Sequence, residues 1–336
     1  MHTPSTTSPA TSLSFDPLQV LLTGATGFIG RAIAAALRRA GHTVHMGHSP
    51  NSPRQQHAGG VAMDFARDTD AATWLPHLQG IDAVVNAVGV LRNTAARPID
   101  AVHHHTPVAL FEACRQAGVR HVVQISALGV QTGSTRYART KRAADEHLLG
   151  LAAATNDSTS PLRGVVLRPS VVFGHGGASA TLFMRLARLP VLALPGPVLT
   201  ARVQPVAVHD LADAVVALLG SHSQVRGVVP CVGPEALPMA ALIANLRAQC
   251  GHPPAHALQL PTPLTRLSAR LGDWVPVSPW CSETLTMLAT DNVADPAPLQ
   301  ALLGYPATHY SQLVERAWAP SPTAAAPDAL HPGAPS

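Results

Sequence analysis

The sequence predicts a doubly wound α/β fold: a parallel sheet with helices on both faces, followed by a smaller, mostly helical C-terminal region. Three observations carry that expectation. Short apolar runs alternate with helix-period segments, a glycine-rich turn follows the first run, and the alternation decays after Gly174. The order begins with LQVLL as a strand, FIGRAIAAALRRAG as a helix and TVHMG as the second strand. GVAMDF and IDAVVNAVG follow as strands three and four, then PIDAVHHHTPVALFEACRQAG as a helix and VRHVVQIS as the fifth strand. YARTKRAADEHLLGLAAA reads as a helix and RGVVLRPSVVFG as the sixth strand. Runs such as VVQI and GVVL are apolar throughout because a parallel sheet is covered on both faces. The polar segment 154–162 reads as a surface loop. Beyond Gly174 come helical pieces ATLFMRLARL, HDLADAVVALLG and MAALIANLRAQCG, with one strand candidate at ARVQPVAV. Prolines recur between 251 and 306, so only short helices are expected there, as a lid over a substrate.

The expected organisation is a mobile tail at 1–16, a dinucleotide-binding domain at 17–174, a substrate-side region at 175–318 and a second mobile tail at 319–336. Within the third segment, residues 200–220 are expected to return to the sheet core. The chain has 336 residues, 46% hydrophobic and 12% charged, enough for a sizeable core. Its net charge of +4 is scattered and aromatic residues are 4%, which argues against nucleic acid as a partner. Cys114, Cys231, Cys250 and Cys281 form no C-x-x-C pair and read as reduced thiols. With neither a leader pattern nor a long apolar run, the expectation is a cytoplasmic protein.

Immediately after the first strand, Gly24-Ala25-Thr26-Gly27-Phe28-Ile29-Gly30 forms a G-x-x-G-x-x-G loop opening a helix, the signature of a Rossmann fold. Gly24 allows the turn, Gly27 admits a pyrophosphate to the backbone, and Gly30 lets helix and strand pack closely, while the helix N-terminus favours the anion. Specificity is read after the second strand, where an acid would hold the ribose 2′-hydroxyl of NAD. From His42 to Met63 there is no acid, but there are His45, His48 and Arg54, so NADP(H) is favoured over NAD(H), with His48 beside the 2′-phosphate or, alternatively, a solvated turn residue. Asp64, followed by Phe65, is placed to accept from the adenine amino group or to cap a helix. Ala87-Val88-Gly89 ends the fourth strand at the same edge of the sheet.

Tyr137 and Lys141 stand one helical turn apart. The ammonium would draw the phenol down from about 10 towards neutrality, fitting it to exchange protons with an alcohol or carbonyl, and could bond the nicotinamide ribose. Arg136, Arg139 and Arg142 add positive charge. Ser126, eleven residues upstream, would hold the substrate oxygen. Lys141 is the only lysine beside 22 arginines, a bias that codon usage explains everywhere except where a compact ammonium is required. His103-His104-His105 cannot converge on one ion from a helix, so no metal site is expected, and the 18 histidines otherwise read as substitutes for surface charge. Met184 to Leu192 reads first as core and second as pocket lining, and VLALPGPVL would favour self-association if exposed.

The ordered motifs TGATGFIG, NAVG, QISALG, YARTK and LRPSVVFG resemble the short-chain dehydrogenase/reductase superfamily, in its extended or atypical, NAD-dependent epimerase/dehydratase-like branch. The stretches RVQPVAVHDLADAV and DNVADPAPLQALLG are similar to the nucleotide-binding accessory subunit of respiratory complex I and its bacterial relatives. The resemblance spans about Val20 to Arg316. It implies Ser126, Tyr137 and Lys141 at a catalytic position, the three loop glycines at the pyrophosphate, Pro169-Ser170 beside the nicotinamide, and His209-Asp210 opening a helix beneath the cofactor domain. The chain departs from the pattern at His175–Ser179, on the substrate side, and at Gly47-His48, where the second strand ends early. Two functions follow: an NAD(P)-dependent oxidoreductase or epimerase/dehydratase moving hydride at a carbon bearing oxygen, or a non-catalytic dinucleotide-binding accessory or sensor. A quinone-like, isoprenoid or nucleotide-sugar substrate fits the first; membrane or respiratory-complex association and oligomeric state are left open.

Overall fold

The computed structural model describes residues 17–50, 60–154, 161–220, 223–274, 282–288 and 290–318. Both expected tails, Arg54, Cys281 and most of the 154–162 loop lie outside the described residues. Strand β1 (Gln19–Thr23) leads through the glycine loop into α1 (Phe28–Arg39), whose Ile33, Ala34 and Leu37 recur on one buried face. Then come β2 (Thr43–His48), the short β3 (Val61–Ala62), α2 (Ala71–Trp74) and β4 (Ala83–Asn86). A π-helical turn, Ala101–His105, precedes α3 (Thr106–Ala117), which stops at Gly118 with φ +74°, a left-handed conformation glycine adopts without cost. β5 (His121–Ile125), α4 (Arg136–Ala154) and β6 (Arg163–Pro169) complete the regular part.

Beyond β6 the chain leaves the pattern that local sequence suggests. RGVVLRPSVVFG divides at Ser170, whose N–H donates to Cys231 O, so that β7 (Val172–Phe173) pairs away from the main sheet. After α5 (Ala178–Ala187), β8 (Val191–Pro195) and α6 (Gly196–Thr200), ARVQPVAV becomes two short pieces, β9 (Arg202–Val203) and β10 (Val206–Ala207), because Pro205 between them has no N–H for a ladder. β10 pairs with β7. Helix α7 (Val208–Leu219) returns to pack on α1, and β11 (Gly227–Cys231) adds a sheet strand that sequence reading overlooked. Next are β12 (Leu237–Pro238), paired with β9, α8 (Met239–Gln249), and β13 (His256–Leu260), which lies parallel to β8. The expectation of only short helices after 251 fails at α9 (Thr262–Asp273), twelve residues long: its prolines fall at the start, where no N–H is missed. α10 (Ser282–Met287), α11 (Ala297–Leu303) and α12 (Leu313–Trp318) follow.

The seven-stranded sheet is parallel throughout, in the order β11-β6-β5-β4-β1-β2-β3. Ile33, Leu37, Leu211, Val215 and Leu218 fill one face, and Trp74, Leu110, Phe111 and Leu148 the other. Each such side chain contributes about 1.5–3 kcal/mol on burial. A third core, including Phe183, Leu192, Leu242, Ile243 and Leu246, supports the C-terminal part; of the run at 184–192, Met184, Ala187 and Leu192 pack inward while Leu189 and Val191 stay exposed. The topology reverses direction beside β1, and its carboxyl edge is where open α/β sheets bind ligands.

Candidate functional site

The glycine loop is built too tightly for side chains. Gly24 has φ +70°, and a Cβ there would lie 3.0 Å from the Ala87 backbone. At Gly30 a Cβ would stand 2.1 Å from Gly24 O. Gly27 N–H folds back onto Gly24 O at 2.9 Å, so the loop turns directly into the first turn of α1, where a helix N-terminus can receive a pyrophosphate. A cleft of about 670 Å³ opens beside it. Gly24, Thr26 and Gly27 line it after β1, Ala87, Val88 and Gly89 after β4 on one side, and His48, Asp64 and Phe65 at the ends of β2 and β3, the end far from β4. Ala25, Ile29 and Gly30 support the loop from beneath: Ala25 N–H donates to Gly47 O, and the partly buried Ile29, in the first turn of α1, packs against the core. The Phe28 ring underlies the divergent 175–179 loop, where a Cβ on Gly177 would meet it at 2.8 Å.

At the far end, β2 runs on through His48 rather than ending early. Asp64 Oδ1 accepts the Ala66 N–H at 3.0 Å, and Arg67 lies 3.8 Å from the other oxygen. The aspartate therefore closes a local turn rather than capping a helix. Arg67, paired with Asp64, and Arg97, in the loop beyond β4, also line the cleft, and neither was foreseen from sequence.

Gly89 joins the cleft to the Tyr137 helix. A Cβ there would lie 3.6 Å from Lys141 Nζ and 3.7 Å from His103 Nε2. Lys141 is buried, its Nζ 5.9 Å from the centre of the Tyr137 ring and donating to Ile125 O at 3.1 Å. Burial pulls its ammonium down to about 8, opposed by the Asp145 charge. Arg136, Arg139 and Arg142 are turned to structural duties: Arg136 pairs with Asp100, and the other two bond the carbonyls of Ser134, Val130 and Gln131.

Ser126 stands at the end of β5, but its hydroxyl donates to Asp145 Oδ2 at 2.8 Å, an oxygen that also accepts from Arg168 at 3.0 Å. Asp145 is fully buried; burial raises its carboxyl above the usual range, and the Ser126 bond and Arg168 oppose the rise. Sequence reading missed this pair, although Tyr137, Lys141 and Asp145 follow one another at four-residue steps along one helix face.

His103 was also missed. It is 1% exposed and meets the Tyr137 ring edge-on at 5.1 Å, while its Nε2 accepts the Val90 N–H at 2.9 Å. That bond assigns the ring proton to Nδ1, which faces Thr140 Oγ1 at 3.4 Å. Burial and Lys141 drive its pKa down to about 2, so it is neutral. His103 and the likewise buried His42 are thus not surface-charge substitutes. No cluster of metal-ligating side chains occurs among the described residues.

Ser170 Oγ donates to Asn292 Oδ1 at 2.6 Å, and Asn292 Nδ2 donates to Leu128 O. Asn292 N–H donates to Arg202 O, and Gln204 Oε1 accepts the Ala294 N–H. The two stretches that carried the more specific resemblance therefore meet as one clasp beside Pro169-Ser170. His209-Asp210 opens α7, where Asp210 accepts the Thr308 N–H at 2.7 Å.

Among known proteins, a profile of the NAD dependent epimerase/dehydratase family matches residues 20–229. The ceramide reductase of Caulobacter vibrioides is 29% identical over 59% of this chain and 60% of its own. NADH dehydrogenase [ubiquinone] 1 alpha subcomplex subunit 9 of Arabidopsis thaliana is 29% identical over 61% of this chain and 50% of its own. The matched part thus spans about half to three fifths of these curated relatives. MoeE5, solved in complex with UDP-glucuronic acid and NAD, superposes with a TM-score of 0.64 over 88% of this chain and 96% of its own, at 20% identity, a likeness of fold.

Proposed function

The chain belongs to the NAD-dependent epimerase/dehydratase family, and from that premise we propose that it is an enzyme moving hydride between a nicotinamide dinucleotide and a carbon bearing oxygen. The observation that carries this reading is buried Lys141, whose Nζ stands 5.9 Å from the centre of the Tyr137 ring and 3.6 Å from where a Cβ on Gly89, in the cleft wall, would lie. Gly24, Gly27 and Gly30 would receive the pyrophosphate, Ala87 to Gly89 the central part of the dinucleotide, and Pro169-Ser170 the nicotinamide end. Lys141 would hold the ribose, and Tyr137 would give or take the proton at the substrate oxygen. The dinucleotide itself supplies the hydride chemistry. Ser126 would accept from the substrate hydroxyl while its own O–H goes on donating to Asp145 Oδ2.

NADP(H) is the favoured dinucleotide, since His48 and Arg67 at the far end suit a 2′-phosphate. The non-catalytic reading is favoured by the Ser126–Asp145 bond, which withdraws a donor from the substrate. Likeness to a ceramide reductase and to a complex I subunit makes lipid carbonyls and quinones the first substrates to try, ahead of nucleotide sugars. Calorimetric titration with NADPH and NADH, followed by turnover of these substrates by wild type and Tyr137→Phe, tests the proposal. The expectation is tighter NADPH binding, unchanged in the variant, with turnover reduced by about 10²–10⁴-fold. Equal turnover by the variant would refute the role of Tyr137, and dinucleotide binding without any turnover would favour the accessory reading.

A further inference from the structure

We propose that α9 is a docking face for an anionic phospholipid surface. An ordinary amphipathic helix turns its large apolar side chains inward. α9 does the reverse: Thr265, Ala269 and Gly272 face the protein, while Leu264, Leu267, Leu271 and Trp274 are 53–87% exposed. Steps of three, four and three residues place those four on one stripe. Arg266 and Arg270 are exposed and flank it, where long stems can follow the apolar surface and present charge to lipid phosphates. The acid on α9 itself, Asp273, is engaged through both oxygens by Ser282.

Charge and residue type make a lipid surface the occupant of the stripe. Its composition, leucines with a terminal tryptophan and flanking arginines on a chain of net charge +4, complements an anionic interface. No described helix is long and apolar enough to cross a membrane, so the contact would be peripheral. Arg92 donates to the Gly272 and Asp273 carbonyls at 3.1 and 2.9 Å, tying the end of α9 to the loop that follows Gly89. Docking through α9 would therefore set the mouth of the cleft beside the lipid.

The test is co-sedimentation of the full chain with phosphatidylcholine vesicles, with and without phosphatidylglycerol. Wild type should bind the anionic vesicles, and Leu267→Glu/Leu271→Glu should lower the bound fraction at least about tenfold while melting temperature and dinucleotide affinity hold. Arg266→Glu/Arg270→Glu should abolish the preference for phosphatidylglycerol. Should the double glutamate variant fold poorly, Trp274→Ala, at the helix end, gives the same reading with a smaller loss. Wild type that does not sediment, or variants that sediment equally, would overturn the proposal. So would a wild-type dimer split by the leucine variant with vesicle binding unchanged, which would make a second copy the occupant. The proposal does not require a catalytic site: a chain that sediments but binds no dinucleotide sinks only the enzymatic reading.

Discussion

Replacing Lys141 with methionine removes a charge that the fold holds against the pull of water. The ammonium is buried and its pKa falls from 10.5 to about 8. Below pH 8 both folded and unfolded chains carry the proton, and the full cost of burying it is present. Between pH 8 and 10.5 the unfolded chain binds more protons than the folded one, so stability rises with pH as that cost is relieved. The shift corresponds to about 3 kcal/mol at pH 7, falling below about 1 kcal/mol at pH 10. Methionine, similar in length and apolar, avoids that cost but leaves Ile125 O without the Nζ donor, a loss of about 1 kcal/mol. Lys141→Met is therefore expected to be about 2 kcal/mol more stable than wild type at pH 7, with the difference vanishing near pH 10. Urea denaturation of both proteins between pH 7 and 10 measures it, because titrations common to both cancel. A variant less stable at pH 7, or a difference constant across the range, would refute the reasoning. The same variant should lose turnover, so the lysine is held at the expense of stability.

Two further outcomes follow from the geometry. Gly30→Ala sets a methyl 2.1 Å from Gly24 O, with only backbone around it, so loop or helix must move; a loss of about 1–3 kcal/mol in denaturation and at least tenfold weaker dinucleotide binding by calorimetry are expected. Asp145→Asn leaves the mostly buried Arg168 without its counter-charge and should cost about 3 kcal/mol, while Arg168→Gln in the same chain should recover part of that loss in a double-mutant cycle.

What the sequence disclosed was what short spacing encodes. The glycine loop and the Tyr137-Lys141 step are local, and each is diagnostic within one turn of chain. The elements that failed to show were set by distant partners. β11 carries Pro230 and a half-exposed face, and becomes a strand because β6 is beside it. Asp145 reaches Ser126 across 19 residues, and Asn292 reaches Ser170 across 122. His103 looked like one of three surface histidines until the π-helical turn directed it inward, against Tyr137. The arginines around Tyr137 looked electrostatic by count, whereas their bonding partners made them braces.

The clasp formed by Asn292 and Ala294 has a consequence for how the molecule is assembled over time. Its bonds run to Leu128, Ser170, Arg202 and Gln204, across separations of up to 164 residues. Contacts of that range are slow to form because a long loop must close before they repay it. On a ribosome, β1 to β6 can pair as they emerge, yet Ser170, at the proposed nicotinamide end, waits for a segment made more than a hundred residues later. The phosphate loop is thus ready early and the reaction end late, so a nascent chain could grip a dinucleotide before it could use one.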